Sequence, residues 1–156
     1  MGLDPYAVFR PRRGRIVAVA AAVASLAVFG LAAVEVPGSD EVSNGGWSLA
    51  DRLLLVLLGV ALAAGLLRFA LLRAVPSPQG LVVHNLFTTR RLEWAQVLRV
   101  QFSGGAPWLT LELDDTDSLA VMAIQKSDGA HAQAEAARMS ALVQHHTTPP
   151  PEVRER

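Results

Sequence analysis

A chain of 156 residues with 51% apolar and 18% charged side chains is too apolar for an ordinary soluble domain, and beside two hydrophobic stretches it has room for one small domain. Basic and acidic residues both number 14, so the net charge is +0 and nothing points to the concentrated basic surface that nucleic acid requires. There is no cysteine, which excludes disulfides, thiolate metal sites, a cysteine nucleophile and a lipid anchor on cysteine.

The first 15 residues carry Arg10, Arg12, Arg13 and Arg15 against one acid, Asp4. Ile16–Val34 (IVAVAAAVASLAVFGLAAV) then runs 19 residues without a charge. At ~1.5 Å rise per residue it nearly matches a hydrocarbon core of about 30 Å. This predicts a transmembrane helix over 16–36. A signal peptide is the rival reading, with the arginines as its basic region and Gly30-Leu31-Ala32 as a loose cleavage site, but the apolar stretch is longer than such signals carry. A loop over 37–52 follows, with turn residues at Pro37, Gly38 and Gly45-Gly46. Trp47 is placed as an interfacial anchor, and Ser48 with Asp51 three residues on reads as a helix start close to a capping box.

Leu53–Leu72 (LLLVLLGVALAAGLLRFALL) is interrupted only by Arg68, which can snorkel to the headgroups near a helix end. This predicts a second span over 53–73. Arginines flank the N-terminal segment and the exit of this span, whereas the loop is acidic, so both termini are expected in the cytoplasm. Small residues on both spans (Ala21, Ser25 and Ala32; Gly59, Ala63 and Gly65) permit close packing, either of the two helices together or against another membrane protein.

Pro76-Ser77-Pro78 is expected to end the helical region as a linker. From Gly80 the pattern becomes strand-like. GLVVHNLF, then Val97–Phe102 with Leu98, Val100 and Phe102 on one face, then Trp108–Leu113 with Leu109, Leu111 and Leu113 inward, then Leu119–Ile124, read as an antiparallel meander. A helix is expected from Ser127 or Asp128, either of which could cap it, to about His145. Its apolar stripe is Ala132, Ala136, Met139, Leu142 and Val143. The result is an α+β domain over 77–146 with a strongly bent sheet, followed by a proline-rich, disordered tail over 147–156.

Two spans followed by GLVVHNLFTTRRLEWAQVLRVQF, PWLTLEL and LAVMAIQKSDG resemble the bacterial PH-like proteins of actinobacterial membranes, a group labelled low-molecular-weight antigen, PH-like. The resemblance covers 16 to about 145. It rests on Gly80-Leu81-Val82-Val83 with Asn85, on Arg91 followed by Trp94 and Val97, and on Pro107-Trp108 and Ala123-Ile124-Gln125. The abundance of arginine and alanine beside a single lysine, Lys126, also fits a high-GC genome such as an actinobacterium. The resemblance implies a transmembrane hairpin followed by a PH-like antiparallel split barrel capped by a C-terminal helix. It brings no defined activity, no cofactor and no catalytic residues.

Four residues stand as candidate lipid or partner contacts. Arg90 and Arg91 fall where the first hairpin is expected, Arg99 on the outward face of a later strand, and Trp108 at a strand start. Near an anionic leaflet each basic residue contributes about 1 kcal/mol. Against that, residues 77–146 hold five basic and seven acidic residues, a net charge of −2. Trp94 is read as core. His84, His131, His145 and His146 lack the convergent spacing of a zinc site. Asp114, Asp115 and Asp117 lack the glycine and distal glutamate of a calcium loop and read as a hairpin turn. No nucleophile elbow, phosphate loop or zinc-protease motif is present, so no metal, no catalytic residues and no enzyme are expected. Three functions follow: a membrane-anchored module recognising a protein partner or membrane complex at the inner leaflet, a sensor of anionic headgroups through Arg90 and Arg91, or a small component of a transporter or channel.

Overall fold

The computed structural model describes residues 4–36, 46–102 and 104–147, and the chain divides into two compact units. The expectations at Pro37, Gly38 and Gly45, and for the tail beyond Thr147, lie outside the described residues.

The first unit, Gly14–Leu71, is helical. Helix α1 (Arg13–Glu35) and helix α2 (Leu49–Ala70) are each long and apolar enough to cross a membrane. The expected start of α2 is present as a full capping box: Ser48 Oγ accepts from the Asp51 amide, and the Asp51 carboxylate accepts from the Ser48 amide. The helices approach through small residues. Ser25 Oγ donates to Gly59 O at 3.2 Å, and a Cβ on Gly59 would lie 2.6 Å from Phe29 Cβ. Arg52 donates to Val36 O at 2.7 Å, satisfying a carbonyl just past the end of α1.

The second unit, Met1–Arg13 with Leu72–Arg156, holds two three-stranded antiparallel sheets and a helix. Strands β1 (Arg73–Ser77), β2 (Gly80–His84) and β3 (Thr89–Leu92) form one sheet. After a short 3-10 turn over Trp94–Gln96, β4 (Val97–Gln101), β5 (Trp108–Leu113) and β6 (Ser118–Gln125) form the other. Helix α3 (Ala130–Thr147) buries Ala132, Ala136, Met139, Leu142 and Val143, the stripe that periodicity predicts. Leu81, Val83, Leu109, Leu111 and Val121 meet them in the core. This is the PH-like split barrel with its C-terminal helix.

Several local expectations differ from the structure. Helix α2 ends at Ala70, and Pro76, expected in a linker, lies in β1 opposite Leu81. An outer strand tolerates proline because its missing amide costs no ladder bond on the unpaired side. Leu98, grouped with Val100 and Phe102, is 67% exposed while Val97 is buried. A register shift between Val97 and Arg99 breaks the alternation there. Gly80 fits because a Cβ would lie 2.1 Å from Leu92 O on the adjoining strand.

Candidate functional site

The folded domain begins before the first helix. Phe9 is fully buried and forms an antiparallel bridge with Ala74, through Phe9 N to Ala74 O (2.9 Å) and Ala74 N to Phe9 O (3.0 Å). The Arg138 guanidinium, from α3, lies 3.7 Å over the Phe9 ring and donates to Pro5 O and Ala7 O. Tyr6 Oη meets His146 Nε2 at 2.9 Å, and the His146 ring stacks on Trp94 at 5.1 Å. Trp94 is core, as expected, and its indole N–H donates to Ser77 O at 2.8 Å.

Asp128 completes this arrangement and corrects an expectation. Its buried carboxylate does not start α3. It accepts from the amides of Arg12 and Arg13, both at 2.8 Å, and so caps the first turn of α1. Helix starts present unpaired amides and a partial positive charge, which a carboxylate answers on both counts. Residues 4–13 therefore act as a strap across the barrel. Adding Arg10, Arg12, Arg13 and Arg73 with Asp4 turns the domain's expected net charge of −2 into +1.

The register of the first sheet decides which side chains share a face. Arg73 pairs with His84, His84 with Thr89, and Val82 with Arg91. Cross-strand partners share a face and neighbours along a strand alternate, so Arg73, His84, Thr89 and Arg91 lie together on the outer face. His84 Nδ1 and Thr89 Oγ1 are 3.2 Å apart. Partial burial, and then the charges of Arg73 and Arg91, hold the His84 imidazole below the usual histidine range. Neither arginine forms an ion pair among the described residues.

Between β2 and β3 the chain turns through Leu86 and Phe87. The Asn85 amide donates to Thr88 O at 2.9 Å, closing the turn. The Asn85 side chain donates to Ala120 O and accepts from Met122 N, tying the base of this hairpin to β6. Sequence reading noted Asn85 only as part of a pattern; its bridging role depends on β6, which is distant in the chain. At the tip, Phe87 is 83% exposed.

The four candidate contacts do not converge. Arg90 and Arg91 are successive residues of β3 and project from opposite faces. Arg90 pairs with Asp117 at 3.5 Å, in the turn before β6. The first hairpin turn is at Pro78-Gln79, so the arginine pair lies on a strand beyond it. Arg99 is on the second sheet opposite Glu112, and half-buried Trp108 begins β5 opposite Gln125. A shallow pocket of ≈ 320 Å³ sits by Ser77, Gln79, Gly80, Arg91 and Glu93.

Two bent antiparallel sheets closed by a C-terminal helix define a PH-type binding fold. Residues 72–141, just under half of the chain, match the family described as the bacterial PH domain. The chain is similar to an uncharacterized protein of Mycobacterium bovis and to uncharacterized proteins from two strains of Mycobacterium tuberculosis, each 39% identical over 79 residues. The match covers 51% of this chain and 51% of each relative, so the chain spans about half the length of the curated relatives it matches. The resemblance to an actinobacterial PH-like family thus extends to named mycobacterial proteins. No solved structure matches the chain.

Proposed function

We propose that this chain is a non-enzymatic, membrane-anchored module whose PH domain recognises a protein partner at the inner face of the membrane. One observation carries the reading: the domain is assembled from a segment before α1 and a segment after α2. A domain joined to both helix ends is held close to any membrane those helices cross. PH-type domains bind rather than catalyse, and tethering supplies effective concentration, so a weak site acts when its partner is confined to the same surface. The cytoplasmic placement rests on the arginines that precede α1 and follow α2.

The test is crosslinking in cells followed by purification in mild detergent, with the intact chain compared with an Asp128→Ala, Phe9→Ala double variant whose strap is loosened. A specific membrane protein recovered with the intact chain and depleted with the variant is the expected result. Recovery of the chain alone after crosslinking overturns the reading.

A further inference from the structure

The chain joins one end of the first sheet to both helices through short connections. Leu71 and Leu72 alone separate the last residue of α2, Ala70, from the first residue of β1, Arg73. Three residue steps span at most about 10 Å. Arg10, Pro11 and Arg12 alone separate Phe9, bridged to Ala74, from the first residue of α1. His84, the last residue of β2, pairs with Arg73, so the turn that follows it lies at this same end. The opposite turn, Pro78-Gln79, is a strand length away, roughly 15 Å at ~3.3 Å per residue.

At the end of the sheet where the chain connects to the helices stands an exposed aromatic ring, Phe87, on a turn fixed to β6 by Asn85. At the same end of the sheet, or leading into it, are cations that form no ion pair among the described residues: Arg73 and Arg91 on the sheet face, with Arg10 and Arg12 exposed on the strap. Bulk water gives a rigidly presented phenyl ring no favourable contact. The boundary between headgroups and acyl chains does, because apolar burial and attraction to lipid phosphates add there.

We propose that the β2–β3 tip docks on the lipid surface beside the chain's own helices, with Phe87 seated among the headgroups and Arg73 and Arg91 against their phosphates. This deepens the membrane-anchored reading and rests on it. The contact fixes how the PH domain is turned over the membrane. Its Pro78-Gln79 end then faces away from the bilayer, open to a partner.

The absence of native cysteine makes the test direct. The full chain carrying Thr88→Cys, or Gln79→Cys, is labelled with an environment-sensitive fluorophore. It is reconstituted into phosphatidylcholine vesicles with and without phosphatidylglycerol, and a shallow doxyl lipid serves as quencher. The expected result is about twofold stronger quenching at Thr88 than at Gln79, enhanced by phosphatidylglycerol, as apolar seating plus charge attraction requires. Phe87→Asp in the Thr88→Cys chain is expected to abolish that difference, and Arg73→Ala with Arg91→Ala to abolish the phosphatidylglycerol increment. Equal quenching at the two positions, or a difference untouched by Phe87→Asp, overturns the docking. Flotation of the chain with vesicles after an alkaline wash separates the two levels. A chain that floats without tip quenching retains its anchor and loses the docking; a chain that does not float refutes the anchored reading and the docking with it.

Discussion

Replacing Phe9 by alanine tests whether the strap belongs to the core. The ring is fully buried, stacked under Arg138 at 3.7 Å, and lies on a segment held by two backbone hydrogen bonds to Ala74. Truncating a buried phenylalanine costs about 3–5 kcal/mol through lost transfer energy and the cavity left behind. The backbone bonds survive the substitution, so the whole loss comes from the ring. Small domains are stable by about 5–15 kcal/mol, and each kcal/mol shifts the melting temperature of a 60–100-residue domain by about 4–8 °C. A fall of roughly 12–40 °C follows. The assay is thermal unfolding in detergent followed by tryptophan emission, because Trp94 is buried against His146 and changes environment when the barrel opens. Val8→Ala is the control: Val8 is 38% exposed, and a surface truncation stays within about 0.5 kcal/mol. If Phe9→Ala melts within a few degrees of Val8→Ala, the strap contributes nothing to the core and its assignment to the domain is wrong.

Three further outcomes follow from named contacts. Asp128→Ala leaves the amides of Arg12 and Arg13 without acceptors, at a cost of about 1–3 kcal/mol, and trypsin should then cleave after Arg12 and Arg13 several-fold faster. Unchanged cleavage would show that the cap does not hold the strap. Asn85→Ala strips partners from Ala120 O and Met122 N and should cost about 1–3 kcal/mol, with amide exchange at Met122 accelerated in hydrogen-exchange measurements. His84 should titrate below the reference value of about 6.5 by NMR, and Arg73→Ala with Arg91→Ala should raise it, since burial is the first cause and those charges the next. The neutral imidazole is the form the fold favours. Stability is therefore lost as pH falls through the unfolded value of about 6.5 toward the depressed folded one, and is level below it. An unchanged His84 titration in the double variant would dissociate the two arginines from that face.

The helices, strands β2, β5 and β6 and the α3 stripe were legible because each carries its own pattern. Ile16–Val34 is apolar throughout, Leu109, Leu111 and Leu113 alternate cleanly, and Ala132 to Val143 follow the helical repeat. Strand β1 was hidden because Pro76 and Pro78 dominate so short a segment, and only pairing with Gly80–His84 makes it a strand. The strap left still less trace. Phe9 among arginines has no periodicity, and its burial depends on Ala74 and Arg138, far away in sequence. Asp128 misled for a related reason: its position before α3 satisfies the local capping rule, while its carboxylate is taken by Arg12 and Arg13. The grouping of the candidate contacts follows the same pattern. Adjacency in sequence paired Arg90 with Arg91, whereas strand alternation separates them and brings Arg91 to the face of Arg73 and His84.

The strap also constrains how the chain is threaded. Phe9 and Ala74 are hydrogen-bonded neighbours separated in sequence by both apolar helices. A chain that crosses a bilayer twice returns to the side it left, which leaves Phe9 able to enter the barrel beside β1. One crossing would strand residues 4–13 opposite the rest of the domain, leaving Ala74 without its backbone partner and the core without an aromatic ring. A single crossing would thus be penalised by the few kcal/mol that Phe9 contributes. The arginine distribution favours the same arrangement through an unrelated force, the bias that keeps basic segments on the cytoplasmic side. The buried Phe9 penalises any arrangement in which the two ends of the helical pair lie on opposite sides of a membrane.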